Sequence, residues 1–283
     1  MAIAGFALVV LIRSIHAKVL LANLMTISES GLGLAALLLI PNIGVQWLKW
    51  HYLLTRVNPA LPPSLSFKSL MVGFPLGMAT PGRLGEVGRG LVIDSIPKQL
   101  TLTLAVIDKI ISLLITIVFG LLAMLFSSFS FYLPRAHWIL VAIAIIGIGL
   151  ALGAVRITAI KTALQQTGLR CKNYWFVCAC AAIFYFVFVA QLLTLSFSFV
   201  PLNPVEGLSA AAATFFVKSV LPISLGDLGI REGAAVFFFT KIGVSAAAAF
   251  NASVLLFMIN VVIPTAIGFF YLFEQKDSQK GQT

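Results

Sequence analysis

From Leu100 to Phe126 the chain is interrupted by charge only at Asp108 and Lys109. A run of that length suits a helix crossing a bilayer, which needs roughly 17–25 predominantly apolar residues. Similar runs recur at Gly31–Leu54, Trp138–Val155, Tyr174–Val200 and Ala246–Phe273. In lipid every backbone N–H and C=O must be bonded within its own segment, so such runs are helices. The rest of the chain agrees: 60% of its residues are hydrophobic and 10% charged, against about 25% charged in a soluble domain. The sequence therefore predicts an all-α polytopic membrane protein with about 6–8 transmembrane helices, counting shorter broken runs. One integral membrane domain is expected over 1–273, followed by a polar, frayed tail at 274–283.

The formal net charge is +10. In a membrane chain this reads as Lys and Arg in cytoplasmic loops facing anionic headgroups. With no zinc-finger spacing, RNP-like motif or long basic helix, nucleic acid is not an expected partner. Arg156, Lys161, Arg170 and Lys172 place the 156–172 loop inside, as do Lys49, Arg56 and Lys68 for a 49–68 loop and Lys276 and Lys280 for the C-terminus. The 201–206 turn, with only Glu206, faces out; Arg135, Arg13 and Lys18 go against the pattern. Trp47 and Trp50 stand where an aromatic belt is expected. Cys171, Cys178 and Cys180 read as inert apolar thiols. Met1–Ile12 is too short to span and lacks a cleavage site, so it is read as a short first helix rather than a leader.

Two apolar stretches do not look like single helices. After the polar connection 55–69, residues 70–98 carry Gly73, Pro75, Gly77, Pro81, Gly82, Gly85, Gly88 and Gly90. Residues 207–230 carry Pro222, Gly226 and Gly229. Each ends in a charged glycine motif, "LGEVG" at 84–88 and "LGDLG" at 225–229. Leu84 matches Leu225, Glu86 matches Asp227, and Arg89 matches Arg231 after one inserted residue. The spans expected between the motifs are odd in number, which inverts the second copy. The expectation is therefore an inverted repeat, with halves roughly 31–135 and 174–273, whose two re-entrant segments meet near the midplane.

Charge at membrane depth is costly and usually functional. Arg83, Arg89 and Arg231 suit an anionic headgroup, with Glu86, Asp227 and Glu232 balancing charge or carrying protons. Loop glycines Gly82, Gly85, Gly88, Gly226 and Gly229 would let backbone N–H groups approach the ligand. The alternative is that Arg83–Glu86 and Glu86–Arg89, each spaced i,i+3, only stitch the loop together. Asp108 and Lys109 either complete the cluster or sit at the interface. Lys218 precedes the second motif as Lys68 precedes the first, and is a candidate headgroup contact. Gln191 and Asn260 read as helix–helix hydrogen bonds. His16, His51 and His137 carry no assigned chemistry, and no metal ligand set or cofactor is expected.

With these residues in view, the chain resembles the lysylphosphatidylglycerol synthase transmembrane-region family over about residues 31–273. The resemblance rests on "WLKWHYLL" (47–54), "TPGRLGEVGRG" (80–90), "VIDKI" (106–110) and above all "PISLGDLGIREGAAVFFFTKIGVSAAAA" (222–249). It departs at Asp108–Lys109, where Glu–Arg is expected, and at Asp227, where Gly is common. Larger members couple this region to a soluble aminoacyl-transferase domain, which is not expected here because the chain stops ten residues after its last span. The resemblance implies a flippase- or scramblase-like transporter of an anionic lipid, an aminoacylated or other phospholipid or a polyprenyl-phosphate-linked lipid, in the plasma (inner) membrane. With no G-x-x-x-x-G-K-[ST] sequence, movement would be downhill or ion-coupled. A membrane-embedded transferase and an accessory subunit of a glycan- or lipid-assembly complex are the alternatives. Partners consistent with these readings are membrane lipids, a second copy in a homodimer, and a separately encoded lipid- or glycan-modifying enzyme.

Overall fold

The computed structural model describes Ile15 and residues 17–126, 171–221 and 228–280. The expected span Trp138–Val155, the 128–137 and 156–170 loops, Met1–Ile12, Arg13, His16, His137, Pro222, Gly226 and Asp227 lie outside the described residues, as do the side chains of Cys171, Lys172, Lys276 and Lys280. Among the described residues the fold is helical throughout, without a β-strand. Its elements are α1 (Ala17–Leu24), α2 (Glu29–Leu37), α3 (Leu39–Thr55), α4 (Pro63–Met78), a 3₁₀ helix (Leu84–Val92), α5 (Lys98–Phe126), α6 (Cys171–Phe197), α7 (Pro204–Val220), α8 (Ile230–Lys241), α9 (Ala246–Phe257), a π turn (Met258–Val262) and α10 (Ile263–Lys280).

Four described segments are long and apolar enough to cross a membrane: Glu29–Thr55, Lys98–Met124, Tyr174–Phe197 and Ala246–Glu274. The first combines α2 and α3, which meet at Leu38. Pro41 has no N–H to give the Leu37 carbonyl, which accounts for the hitch there. Large apolar side chains point outward, with Trp175 78% and Phe270 69% exposed. Such a surface is an aggregation liability in water and an ordinary one in lipid.

The first broken segment is more helical than its glycines suggest. α4 starts at Pro63, inside the expected 55–69 connection, and runs through Gly73, Pro75 and Gly77 to Met78. The glycines form a contact surface. A Cβ at Gly77 would stand 2.6 Å from Glu86 Cγ, and one at Gly73 would stand 3.1 Å from Arg89 Cβ. Pro75 deprives the Met71 carbonyl of its helical donor. Gly268 of α10 packs there, so closely that a Cβ would lie 2.2 Å from that oxygen. Small residues of this kind let helix backbones approach in membranes.

The helices pack reciprocally. α4 leads into the 3₁₀ helix and then α5; α7 leads toward α8 and then the α9–α10 rod. α4 packs on α10, and α5 packs on α7. The helix before each glycine motif thus lies against a helix that follows the other motif. α4 and α7 both start with proline in the first turn, Pro63 and Pro204, where its missing N–H costs nothing. One apolar core joins α6, α7, α8 and α9 to α5, and a second joins α3, α4 and α5. Within the expected tail at 274–283, α10 continues to Lys280, since nothing between Glu274 and Lys280 breaks it; residues 281–283 lie outside the described residues.

Candidate functional site

Six elements (α3, α4, the 3₁₀ helix, α5, α6 and α7) and the π turn line a cavity of about 370 Å³. Asn42, Gln46 and Lys49 line it from one stripe of α3, and Asp108, Ser112 and Thr116 from one stripe of α5. Both spacings follow the helical period of i, i+3/i+4, i+7/i+8. Phe184 and Phe188 of α6 and Phe215 of α7 supply an aromatic wall, and the 3₁₀ helix supplies Glu86 and Arg89.

Two carboxylates organise the charge, each held between two cations. Asp108 lies 2.7 Å from Lys49 Nζ and 2.5 Å from Arg89 Nη2. Glu86 lies 2.5 Å from Arg83 Nη2 and 3.3 Å from Lys109 Nζ. Lys218 also lines the cavity. The lining thus holds five cationic side chains (Lys49, Arg83, Arg89, Lys109 and Lys218) against the two carboxylates. Burial alone would push Glu86, which lies outside the four candidate spans, upward. Arg83 first, then Lys109, Arg89 and Lys218, outweigh that and hold its carboxyl at about 2.

The backbone around the cluster is specialised. Arg83 is left-handed at φ 55°, the only described non-glycine residue with positive φ, and follows Gly82 at φ 56°. Such a conformation persists only where the surroundings enforce it. Lys109 Nζ donates to the Arg83 carbonyl at 2.7 Å, fixing the strained residue from α5. Gly82 lines the cavity, but Gly85 and Gly88 serve packing. A Cβ at Gly85 would fall 2.0 Å from the Leu76 carbonyl oxygen, and the Gly85 N–H donates to Thr80 Oγ1 at 2.6 Å.

Trp50 is not a belt residue. It is fully buried, its indole lies 4.0 Å beneath the Arg89 guanidinium, and its Nε1 donates to Ser69 Oγ. Ser69 Oγ in turn donates to the Arg89 carbonyl at 2.8 Å. Trp47 is half-buried, and its Nε1 donates to Ser66 Oγ at 3.0 Å. Lys49, expected in a cytoplasmic loop, is a 3%-exposed helix residue of the cluster. The signal available in the sequence was a polar stripe, Asn42–Gln46–Lys49, inside an apolar helix. Asp108 and Lys109 do complete the cluster. Arg83–Glu86 is paired as the stitching alternative requires, whereas Arg89 turns away from Glu86 to Asp108.

The second motif is placed differently. Arg231 and Glu232 are buried, 1% and 0% exposed, and pair with each other. Arg231 Nε donates to Ser253 Oγ at 2.9 Å, and Glu232 Oε2 accepts the Gly229 N–H at 2.6 Å, capping α8. Neither lines the cavity. Gly229, at φ 95°, spends its N–H on that cap rather than on a ligand. Gln191 links helices as expected, accepting from Asn42 Nδ2 and donating to the Ala35 carbonyl. Asn260 does not: it sits in the π turn, donates within its own helix to Leu256, and borders the cavity. Among the described residues no His, Cys, Asp and Glu group could hold a metal ion.

A family model described as lysylphosphatidylglycerol synthase TM region matches residues 1–268. No curated protein and no solved structure gives a match.

Proposed function

The chain belongs to the lysylphosphatidylglycerol synthase TM region family, a family of membrane domains, and on that premise we propose that it moves an anionic lipid between leaflets. The observation that carries this reading is the cavity itself, where the buried Asp108 carboxylate and the partly buried Glu86 carboxylate are each outnumbered by their cations. Buried charge at such depth is seldom left unbalanced. An anionic headgroup supplies the missing charge, and the aromatic wall accommodates the start of an acyl or prenyl chain. Arg83, Arg89, Lys109 and Lys49 face the headgroup; Glu86 and Asp108 position them. Arg231 and Glu232 brace the second half instead.

The transport reading includes two re-entrant segments in an inverted repeat. α4 and α7 have 16 and 17 residues, about 24–26 Å at 1.5 Å per residue, short of a ~30 Å hydrocarbon core. The reciprocal packing of α4 on α10 and α5 on α7 is what two interlocked halves would produce. The working picture is a single multi-pass domain in the plasma membrane with a cytoplasmic C-terminus and no catalytic role. Its test is translocation of headgroup-labelled anionic lipid in proteoliposomes. Wild-type protein is expected to move label between leaflets, and Arg83→Ala and Arg89→Ala to slow it at least about tenfold, the equivalent of about 1.4 kcal/mol. Well-folded protein that moves no lipid would overturn the reading in favour of an enzyme or an assembly subunit.

A further inference from the structure

The cluster has a stoichiometry that the general reading does not use. Asp108 is shared by Lys49 and Arg89, and Glu86 by Arg83 and Lys109. Even leaving Lys218 aside, the two triads together carry two positive charges beyond their carboxylates. Lys49 and Arg89 are 3% and 7% exposed, so bulk water and salt screen them little. Arg83, Glu86 and Lys109 are more open, their side chains 13%, 28% and 30% exposed, but a single negative charge would still leave one of the four cations without a counter-charge in the cavity.

Donor capacity tells the same story. Each guanidinium offers five N–H donors, yet the Nε groups of Arg83 and Arg89 are buried without a partner. A terminal phosphate presents three strong acceptor oxygens and close to two charges above its second pKa near 6. A phosphodiester has one charge and two free oxygens. The cavity volume, about 370 Å³, falls within the roughly 300–1,000 Å³ of ligand sites. Resting on the lipid-transport reading, we infer that the headgroup taken by this cavity is dianionic, a phosphomonoester or a diphosphate, in preference to a phosphodiester.

The inference brings a pH signature that belongs to the ligand. The ionisable side chains facing the site are Lys49 from α3, Arg83 just before the 3₁₀ helix, Glu86 and Arg89 from that helix, Asp108 and Lys109 from α5, Tyr185 from α6 and Lys218 from α7, with no histidine among the lining residues. The second ionisation of a phosphomonoester, near 6, falls inside the range pH 5 to 7.5.

The test is equilibrium binding to wild-type protein in phosphatidylcholine nanodiscs. Competing probes are phosphatidic acid, a polyprenyl monophosphate and phosphatidylglycerol, with added phosphatidylcholine as background. At pH 7.5 at least one phosphomonoester is expected to bind about tenfold or more tighter than phosphatidylglycerol, and the advantage to shrink to about twofold at pH 5 as the second ionisation is lost. Which phosphomonoester wins tells a glycerolipid from a polyprenyl source. Lys109→Gln, with one cation fewer, is expected to narrow the preference at pH 7.5 while still binding phosphatidylglycerol. Equal affinity for phosphodiester and phosphomonoesters at pH 7.5 would overturn the inference and leave the anionic-lipid reading standing. No anionic lipid binding above the phosphatidylcholine background would overturn both. The wild-type comparison stands even if Lys109→Gln fails to fold.

Discussion

Replacing Asp108 by Asn removes the charge that holds two buried cations together while keeping the side chain's size. Lys49 Nζ and Arg89 Nη2 lie 2.7 Å and 2.5 Å from its carboxylate, and all three residues are more than nine-tenths buried. At an effective dielectric of 20 one ion pair at 4 Å is worth about 4 kcal/mol before desolvation. The variant loses two such attractions and leaves Lys49 and Arg89 repelling each other. It is spared the cost of burying the carboxylate, so the net loss expected is that of a broken buried pair, about 3–5 kcal/mol. Adding Lys49→Met removes one stranded cation and should return part of it, with a coupling of about 1–3 kcal/mol. Equilibrium unfolding in mixed micelles, run on wild type, both single variants and the double variant, reads this directly. Asp108→Asn within about 0.5 kcal/mol of wild type, or a double variant equal to the sum of the singles, would refute the triad.

Gly85→Ala places a methyl group where the Leu76 carbonyl oxygen would be 2.0 Å away, and thermal stability should fall by the equivalent of about 1–3 kcal/mol of overpacking. Gly33→Ala, with nothing within 4 Å, is the control and should not fall. Trp50→Ala removes the platform under Arg89 and should cost about 3–5 kcal/mol in the same unfolding assay; Trp50→Phe should retain more stability by keeping a ring there. Glu232→Gln leaves Arg231 without its buried partner and weakens the α8 cap. It should destabilise by about 3–5 kcal/mol yet leave headgroup affinity within about twofold, since neither residue lines the cavity.

Much of this was legible in the sequence. The helical membrane class follows from long apolar runs such as Leu100–Phe126; Asp108 and Lys109 stood out as charges in that run, but their sequence position alone fitted the interface as well as the cluster. The motif around Arg83 and Glu86 stood out for the same reason. Lys49 was harder: proximity to Arg56 and Lys68 suggested a loop, and only the i, i+4, i+7 stripe with Asn42 and Gln46 pointed inward. The glycines of α4 misled because propensity describes an isolated helix, while Gly73 and Gly77 are spent on close contact with Arg89 and Glu86. The repeat made Arg231 the counterpart of Arg89 by analogy. It could not show that Glu232, one residue on, caps α8 at Gly229 and takes the Arg231 guanidinium with it.

The central claim is that the cavity between the 3₁₀ helix, α3 and α5 holds an anionic headgroup. Photocrosslinking in liposomes tests it most directly, using an anionic lipid with a photoreactive headgroup and peptide mapping of the adducts. The account expects adducts within Leu84–Val92 and on α5 around Asp108 to Thr116, suppressed by unlabelled anionic lipid and lost in Arg89→Ala. Adducts confined to the outward surface near Trp175 and Phe270, insensitive to competitor and to that substitution, would contradict it.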